Sequence, residues 1–323
     1  MKTGIPKRSY AGTDLAVVVP TKDRPVQLGR LFESLAAQST RVGAIVVVDH
    51  GGAAESVVER YKDILPVICI QCPVPGQLIQ RRIGVEAIGP EFRLIGFVDD
   101  DMVFEADAME RMIEFWNAAP ANTAGVGFNI VNCPPFRFSP VLKVFFRSSR
   151  RPGLVLKSGH NVDIQNIAED APTEWLGGGY TVWSAQVLHR FPQDELHTRW
   201  AIGEDLRFSY PIGKRLPLFV CSRARVRHEH VNGARQGAKL HYFRGWKSVV
   251  SVCYFVQLHA EDFSTAACLW MLAAKCSARI LLACLRLDYE SLVRGVGETV
   301  GLFRASLALI RGNDMRPMLE DRA

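Results

Sequence analysis

A chain of 323 residues with 48% apolar and 22% charged side chains can bury a full core, which excludes an intrinsically disordered protein. Its net charge of +6 is unevenly spread. Between Arg199 and Lys247, eleven Lys or Arg stand against three acids, Glu204, Asp205 and Glu229, and such a block favours anionic ligands. No helix-turn-helix, zinc-finger or aromatic-sheet signature accompanies it, so nucleic acid is not the expected partner. A sugar-nucleotide pyrophosphate or an anionic lipid surface fits better.

The first fourteen residues are polar and basic without a long apolar run, so a cleavable secretory signal is not expected and the catalytic part is placed in the cytoplasm. Leu15 to Val19 is a β-branched run broken by Pro20 and Thr21, and Leu28, Leu31, Phe32 and Leu35 follow at helical spacing. A second strand, Ala44 to Val48, ends at Asp49. Gly51 and Gly52 then open a turn before a short helix carrying Val57, Val58 and Tyr61. Val67 to Ile70 reads as a third strand, Gln77 to Ala87 as a helix and Leu94 to Val98 as a fourth strand. Strands that are apolar throughout and alternate with helices indicate an α/β fold with a mostly parallel sheet flanked by helices, and ligands of such sheets bind beyond the strand carboxyl ends.

Asp99, Asp100 and Asp101 end the fourth strand, placing three carboxylates where such a ligand would sit. Crowded carboxylates raise one another's pKa, and a divalent cation relieves the repulsion; Mg²⁺ or Mn²⁺ suits oxygen donors. A solvated acidic turn is the plain alternative. After a helix around Ala108 to Trp116 the pattern loosens into Gly125 to Val131, a turn at Pro134 and Pro135, and a basic segment through Arg151, read as excursions over the sheet with an acceptor loop among them. Gly177, Gly178 and Gly179, between Trp175 and Tyr180, permit close backbone approach to a ligand.

From Tyr242 the chain turns helical. Ala266 to Leu285 has the length of a membrane span, yet Lys275 and Arg279 interrupt it, four apart on one face. That pattern suits an amphipathic helix in a membrane interface, or a helix hairpin packed on the domain or on a second subunit. The eight cysteines are scattered, several within apolar runs, and read as buried free thiols. Cys69 and Cys72 form a C-x-x-C, but no second pair follows at metal-site spacing.

Taken in order, Val19-Pro20-Thr21, Val48-Asp49, Arg81, the aspartate triplet, Gly177 to Gly179, Gly203-Glu204-Asp205 and His228 resemble the family 2 glycosyltransferases of the GT-A fold, over roughly two thirds of the chain, about Leu15 to His230. The resemblance implies a GT-A domain over residues 1–241, with a nucleotide-sugar half at about 15–101 and an acceptor half at about 102–241. A helical region at 242–323 would be membrane-associated or oligomerising, as in a homodimer. It implies that Pro20, Thr21 and Asp49 hold base and ribose, that Arg81 contacts base or phosphate, and that Asp99 and Asp101 match the D-x-D whose carboxylates bind ribose and metal, with Asp100 sharing the work. His228 would add a metal or pyrophosphate contact, with His230 able to do the same. Trp175, Gly178, Gly179 and Tyr180 would form the acceptor side, unless the aromatics are core.

The resemblance also implies that Asp205 is the base that deprotonates the acceptor hydroxyl, with Glu204 orienting the acceptor or the helix terminus, although acids also favour first helical turns. The sequence departs from the family pattern at His50 and Gly52 after the second strand and at Arg82, where asparagine is usual. Pro211 is expected to keep the helix after Asp205 short. The implied reaction is inverting, metal-dependent transfer from a nucleotide-diphosphate sugar, with UDP- or dTDP-sugars favoured, to a hydroxyl of a glycan or lipid-linked acceptor. The C-terminal helices would hold the enzyme peripherally on the inner face of the cell membrane. Two other classes compete. A sugar-phosphate nucleotidyltransferase would need a Gly-rich basic loop after the first strand, where Thr21-Lys22-Asp23-Arg24-Pro25 stands, and a non-catalytic glycan- or lipid-binding protein would not need Asp99, Asp101 and Asp205.

Overall fold

The structure is a computed structural model that describes residues 9–134, 151–191, 196, 202–229 and 237–320. Most of the basic segment expected to cross the sheet before Arg151, together with His230, lies outside the described residues. Contacts divide the chain into two units: residues 1–136, 164–195 and 208–231 form the first, and residues 137–163, 196–207 and 232–323 form the second.

In the first unit β1 (Leu15–Thr21), β2 (Ala44–Asp49), β3 (Val67–Gln71) and β4 (Leu94–Val98) are all parallel, in the spatial order β3-β2-β1-β4. β1 is buried at all seven positions, as a central strand covered on both faces must be, and its run of Val17, Val18 and Val19 supplies the required side chains. Its ladder with β4 stops at Val18, so Pro20, which has no N–H to donate, lies beyond that pairing. Among the helices, α1 (Pro25–Ala36) starts with proline in its first turn, where the N–H is not needed, and buries Leu28, Leu31, Phe32 and Leu35. α2 (Glu55–Tyr61) follows β2, and α3 (Gln77–Glu86) follows β3. α3 is unusual in that its buried residues, Leu78, Gln80, Arg81 and Gly84, include two large polar side chains.

Beyond β4 the order is β5 (Met102–Phe104), α4 (Ala108–Ala118), β6 (Gly125–Ile130), β7 (Ala171–Thr173), β8 (Tyr180–Ser184), α5 (Ala185–Arg190), α6 (Glu204–Gly213) and β9 (Leu218–His228). β8 runs antiparallel between β4 and β6. β9 lies parallel to β6 and antiparallel to β5 and β7. This second half of the sheet is mixed, and it extends the region that the sequence shows only as a loosened pattern. The β5–β9 register sets Met102 opposite His228, which carries a histidine from far along the chain to the end of the aspartate turn.

The sequence leads one to expect that Pro211 cuts α6 short, yet the helix runs ten residues, through Pro211 to Gly213. Proline stands in the last turn, where one lost N–H bond costs little because the chain is about to leave the helix. The chain passes from the second unit to the first within α6, between Arg207 and Phe208.

The second unit is built on α7 (Ala238–Leu258), α8 (Thr265–Arg286), α9 (Tyr289–Arg311) and α10 (Arg316–Leu319), around a core that includes Val249, Val250, Cys253, Cys268, Met271 and Ala305. Ser264 Oγ caps α8 by accepting from the Ala267 N–H at 3.2 Å, and Asp288 Oδ1 caps α9 by accepting from the Ser291 N–H at 3.0 Å. All eight cysteines are free, and Cys253, Cys268 and Cys276 are buried.

Lys275 and Arg279 do not form an outward polar face on α8. The Lys275 amine donates to His160 Nε2 at 2.8 Å, and Arg279 Nε donates to the buried carboxylate of Glu298 on α9 at 2.8 Å. Burial pushes the Lys275 amine down to about 8 and the His160 imidazole to about 3. What α8 turns outward is Trp270, Leu281 and Leu285, 55%, 61% and 72% exposed. Lys275 and Arg279 are thus engaged within the unit, while large apolar side chains of the same helix face out.

Gly84 tests how α3 is seated on the sheet. A Cβ there would meet the Cγ1 of Val18 on β1, with Cγ2 3.0 Å away. In a helix, replacing glycine gains at most about 1 kcal/mol in propensity, whereas overpacking a close contact costs about 1–3 kcal/mol. Gly84→Val is therefore expected to destabilise the protein by about 1–3 kcal/mol, measured by urea denaturation; an unchanged midpoint would show that α3 is not seated on β1 in this way.

Candidate active site

Seven of the predicted site residues gather where β1, β2 and β4 end: Thr21, Asp49, Arg81, Asp99, Asp100, Asp101 and, through β9, His228. Asp100 is the deepest of the triplet, 4% exposed. Its Oδ2 accepts from the Thr21 hydroxyl at 2.7 Å and its Oδ1 from Arg24 Nη1 at 3.0 Å. Burial drives its carboxyl up to about 6, against the opposing pull of Thr21 and Arg24. Asp101 behaves differently. Burial pushes it up, but His228 and Arg24 together hold it below the usual carboxylate range. His228 Nε2 lies 3.2 Å from Asp101 Oδ1, Arg24 Nη1 lies 3.3 Å from Asp101 Oδ2, and the Glu229 N–H donates to the Asp101 carbonyl at 2.9 Å.

Asp99 faces another way. Its Oδ1 accepts from Gln77 Nε2 at 2.6 Å and from Arg81 Nη2 at 3.1 Å. The Arg81 side chain is 2% exposed, and its guanidinium carbon lies 5.7 Å from the centre of the Phe97 ring. A buried guanidinium facing a half-open carboxylate is costly to desolvate and strongly oriented, which suits a group that holds an anion. Among the described residues, ligand atoms of Asp99, Asp101 and His228 do not all lie within 4.8 Å of one another, so the three do not form one compact donor set. Asp101 and His228 alone face each other closely enough to share an ion: neighbouring donors about 2.1 Å from one cation stand roughly 3 Å apart. A carboxylate oxygen with an imidazole nitrogen fits a divalent cation, and these two residues would hold it.

Asp49 is fully buried. One of its oxygens, Oδ2, accepts from the Ala54 N–H at 2.9 Å, while Oδ1 has no hydrogen-bond partner among the described residues. A buried carboxylate oxygen without a donor is expensive, and an N–H or hydroxyl of a bound base or ribose would satisfy it. Pro20 is buried beside Val48, as the last turns of β1 and β2 require.

The glycine turn lies closer to this cluster than the sequence suggests. A Cβ on Gly178 would come within 2.7 Å of Arg81 Nη1, and one on Gly179 would collide with the Asp99 carboxylate. The Gly179 carbonyl accepts from the Asp99 N–H at 2.8 Å. The small residues are needed because β8 is paired directly with β4, so the turn leading into it rides over the carboxylates. Trp175, expected to offer a ring to an acceptor, is 4% exposed and belongs to the core. Tyr180 is half-buried.

Glu204 and Asp205 open α6 in the second unit. Gly203, at φ +70, turns the chain into the helix. Ser251 Oγ donates to the Ile202 carbonyl at 2.7 Å and accepts from Arg207 Nη1 at 2.9 Å, which pins the helix start to α7. Asp205 Oδ1 accepts from the Leu206 N–H at 2.8 Å; Glu204 is buried and Asp205 half-buried.

Three residues of the site escape sequence reasoning. Arg24 touches two of the three aspartates. Gln77 holds Asp99. Gln80 Nε2 donates to the carbonyls of Thr21 and Val48, at 2.7 and 2.8 Å, tying together the ends of β1 and β2. A signal for the last two is present in the sequence: residues 77, 80, 81 and 84 share one helical face, and the polar ones among them have no reason to face a sheet unless they serve something there.

Residues 16–172 match the model for glycosyl transferase family 2. Comparison with curated proteins gave no match. Among solved structures, the crystal structure of S. aureus TarS 1-349 matches with a TM-score of 0.56 and 16% identity, over 94% of this chain and 85% of that one. The mannosyltransferase PcManGT from Pyrobaculum calidifontis, in complex with GDP-Man and Mn²⁺, matches with a TM-score of 0.53 and 14% identity, over 95% of this chain and 91% of that one. At such identities the likeness establishes the fold. Fold and family model point the same way: the stretch that matches glycosyl transferase family 2 is just under half of the chain, and the fold is that of the GT-A glycosyltransferases.

Arg24 and Thr21 both restrain the rise of the Asp100 pKa, so removing either should raise it further. In metal-free protein, Arg24→Ala and Thr21→Val are each expected to move the Asp100 carboxyl titration, followed by carbon NMR, above its starting value of about 6. No movement in either variant would mean that these contacts do not exist in solution.

Proposed function

We propose that this protein transfers a sugar from a nucleotide-diphosphate sugar to a hydroxyl of a glycan or lipid-linked acceptor, with inversion at the anomeric carbon. The observation that carries the proposal is the convergence of Asp99, Asp100 and Asp101 with Thr21, Arg24, Arg81 and His228 at the carboxyl edge of a parallel sheet. Cations and carboxylates in that arrangement suit a diphosphate that must be gripped and then released.

In this reading the unsatisfied oxygen of Asp49 receives the base or ribose, and Gln80 keeps β1 and β2 at a fixed spacing beneath it. Arg81, oriented by Asp99, meets the diphosphate. Asp101 and His228 hold Mg²⁺ or Mn²⁺, which when bound offsets the charge that develops on the departing diphosphate. The Mn²⁺ in the PcManGT complex supports a divalent cation in this role. Arg24, whose positive charge is shared between Asp100 and Asp101, would present its guanidinium to the phosphates from the same edge.

Asp205 acts as the base. As the acceptor oxygen bonds to the anomeric carbon, its proton passes to the Asp205 carboxylate, the bond from carbon to phosphate oxygen breaks, and the electron pair leaves with the nucleoside diphosphate. Glu204, buried beside it at the start of α6, holds the helix terminus. The C-terminal helices keep the enzyme peripherally at the membrane that carries its acceptor.

A thermal-shift screen of UDP-, dTDP- and GDP-sugars with and without Mn²⁺ identifies the donor. Asp101→Asn is expected to abolish the Mn²⁺-dependent part of the shift. Asp205→Asn is expected to keep donor binding and lose transfer by about 10²–10⁴-fold, the usual contribution of a general base. Near-wild-type turnover in the second variant would end the assignment of Asp205.

A further inference from the structure

The helical unit contains a cavity of about 1220 Å³ that no step of the transfer reaction uses. Its lining is basic and aromatic: Lys239, Trp246 and Lys247 from α7, and Arg304 and Arg311 from α9. The Arg304 guanidinium carbon lies 5.5 Å from the centre of the Trp246 ring, a cation held over an aromatic face. Two carboxylates also line it, and both are engaged by Arg316: Asp314 Oδ1 accepts from its N–H at 2.9 Å and Glu320 pairs with its side chain at 3.0 Å. The remaining balance is positive, and Lys239, Arg304 and Arg311 are exposed.

The surface beside the cavity is apolar. On α9, Val296, Phe303 and Ile310 are 45%, 66% and 76% exposed and recur every seven residues, so they form one stripe. The cavity positions Val300, Arg304, Leu307 and Arg311 form a second stripe, about 70° round the helix from the first. On α8, Trp270, Leu281 and Leu285 are also exposed, and Leu287 in the turn between the two helices is 92% exposed. By length and composition α8 could cross a membrane, and 28% of its most apolar stretch is buried. Apolar stripes beside a cationic recess match the interfacial layer of a membrane, where acyl chains lie next to phosphates.

We propose that this cavity binds the phosphate headgroup of an anionic membrane lipid, while the exposed stripes of α8 and α9 enter the acyl boundary. The proposal deepens the membrane contact stated above by naming the lipid class that α7 and α9 select. A free phosphate has the same charge but no acyl chain, so the stripes separate the two sources.

The test is flotation of the full chain with vesicles of phosphatidylcholine alone and of phosphatidylcholine with phosphatidylglycerol. The wild-type protein is expected to prefer the anionic vesicles and to lose that preference in high salt. Lys239→Gln/Arg311→Gln, two exposed rim changes, is expected to weaken anionic-vesicle binding about thirty-fold, at roughly one surface cation's contribution each. Phe303→Ser/Ile310→Ser should weaken binding to both vesicle types. Equal binding of wild type and the rim variant to anionic vesicles overturns the headgroup site while leaving membrane contact in place; absence of binding to any vesicle overturns both. Inorganic phosphate that binds the vesicle-free protein at the rim as tightly as the vesicles do would overturn the lipid assignment. So would self-association in solution that Phe303→Ser/Ile310→Ser abolishes, if wild type then fails to bind vesicles. Donor binding, read by thermal shift with Mn²⁺, should be unchanged in the rim variant, so a failed transfer assignment would show up separately from a failed lipid site.

Discussion

The burial of carboxylates at the end of β4 is the constraint on which the first unit depends. Asp100 is 4% exposed and cannot be left there as an isolated anion, because desolvation already lifts its pKa to about 6. The protein answers with donors from several places in the chain: Thr21 at the end of β1, Arg24 before α1, Gln77 and Arg81 on α3 and His228 on β9. Each of these elements is then held in place in turn. Gln80 ties β1 to β2, and the glycine turn before β8 must stay free of side chains so that Arg81 and Asp99 can meet beneath it.

This economy explains why the cluster suits an anionic ligand. The carboxylates are neutralised asymmetrically. Asp101 is kept ionised by His228 and Arg24, whereas Asp100 sits closer to protonation. Asp99 is committed to Arg81. Three adjacent residues of one kind have thus been given three electrostatic environments, which a single solvated acidic turn would not provide.

The second unit shows the opposite distribution of polarity. Lys275 meets His160, Arg279 pairs with the buried Glu298, and the leucines of α8 and the phenylalanine and isoleucine of α9 face out. Placing charges inside costs free energy that the exposed apolar stripes do not return in water. The lipid contact proposed for α8 and α9 would place those stripes in apolar surroundings.

The parallel half of the sheet was legible in the sequence because strands covered on both faces are apolar at every position, and β1, β2 and β4 were each marked by a polar residue at the carboxyl end. Thr21, Asp49, Asp99 and Asp101 stand at those ends, and the resemblance to a known family is what assigned them to one site. The sequence also carried the helical C-terminal region, but not the direction in which α8 turns its charges, since periodicity shows that Lys275 and Arg279 share a face without saying what covers it. Trp175 was misleading for the same reason: an aromatic beside glycines suits a ligand or a core equally. Only the folded chain decided that Arg24 joins the aspartates, that Gln77 and Gln80 serve the site, and that His228 meets Asp101 across the β5–β9 register. Local pattern is fixed by the period of each element, whereas contacts between residues a hundred or more positions apart depend on strand order and register, which no single segment of the sequence encodes.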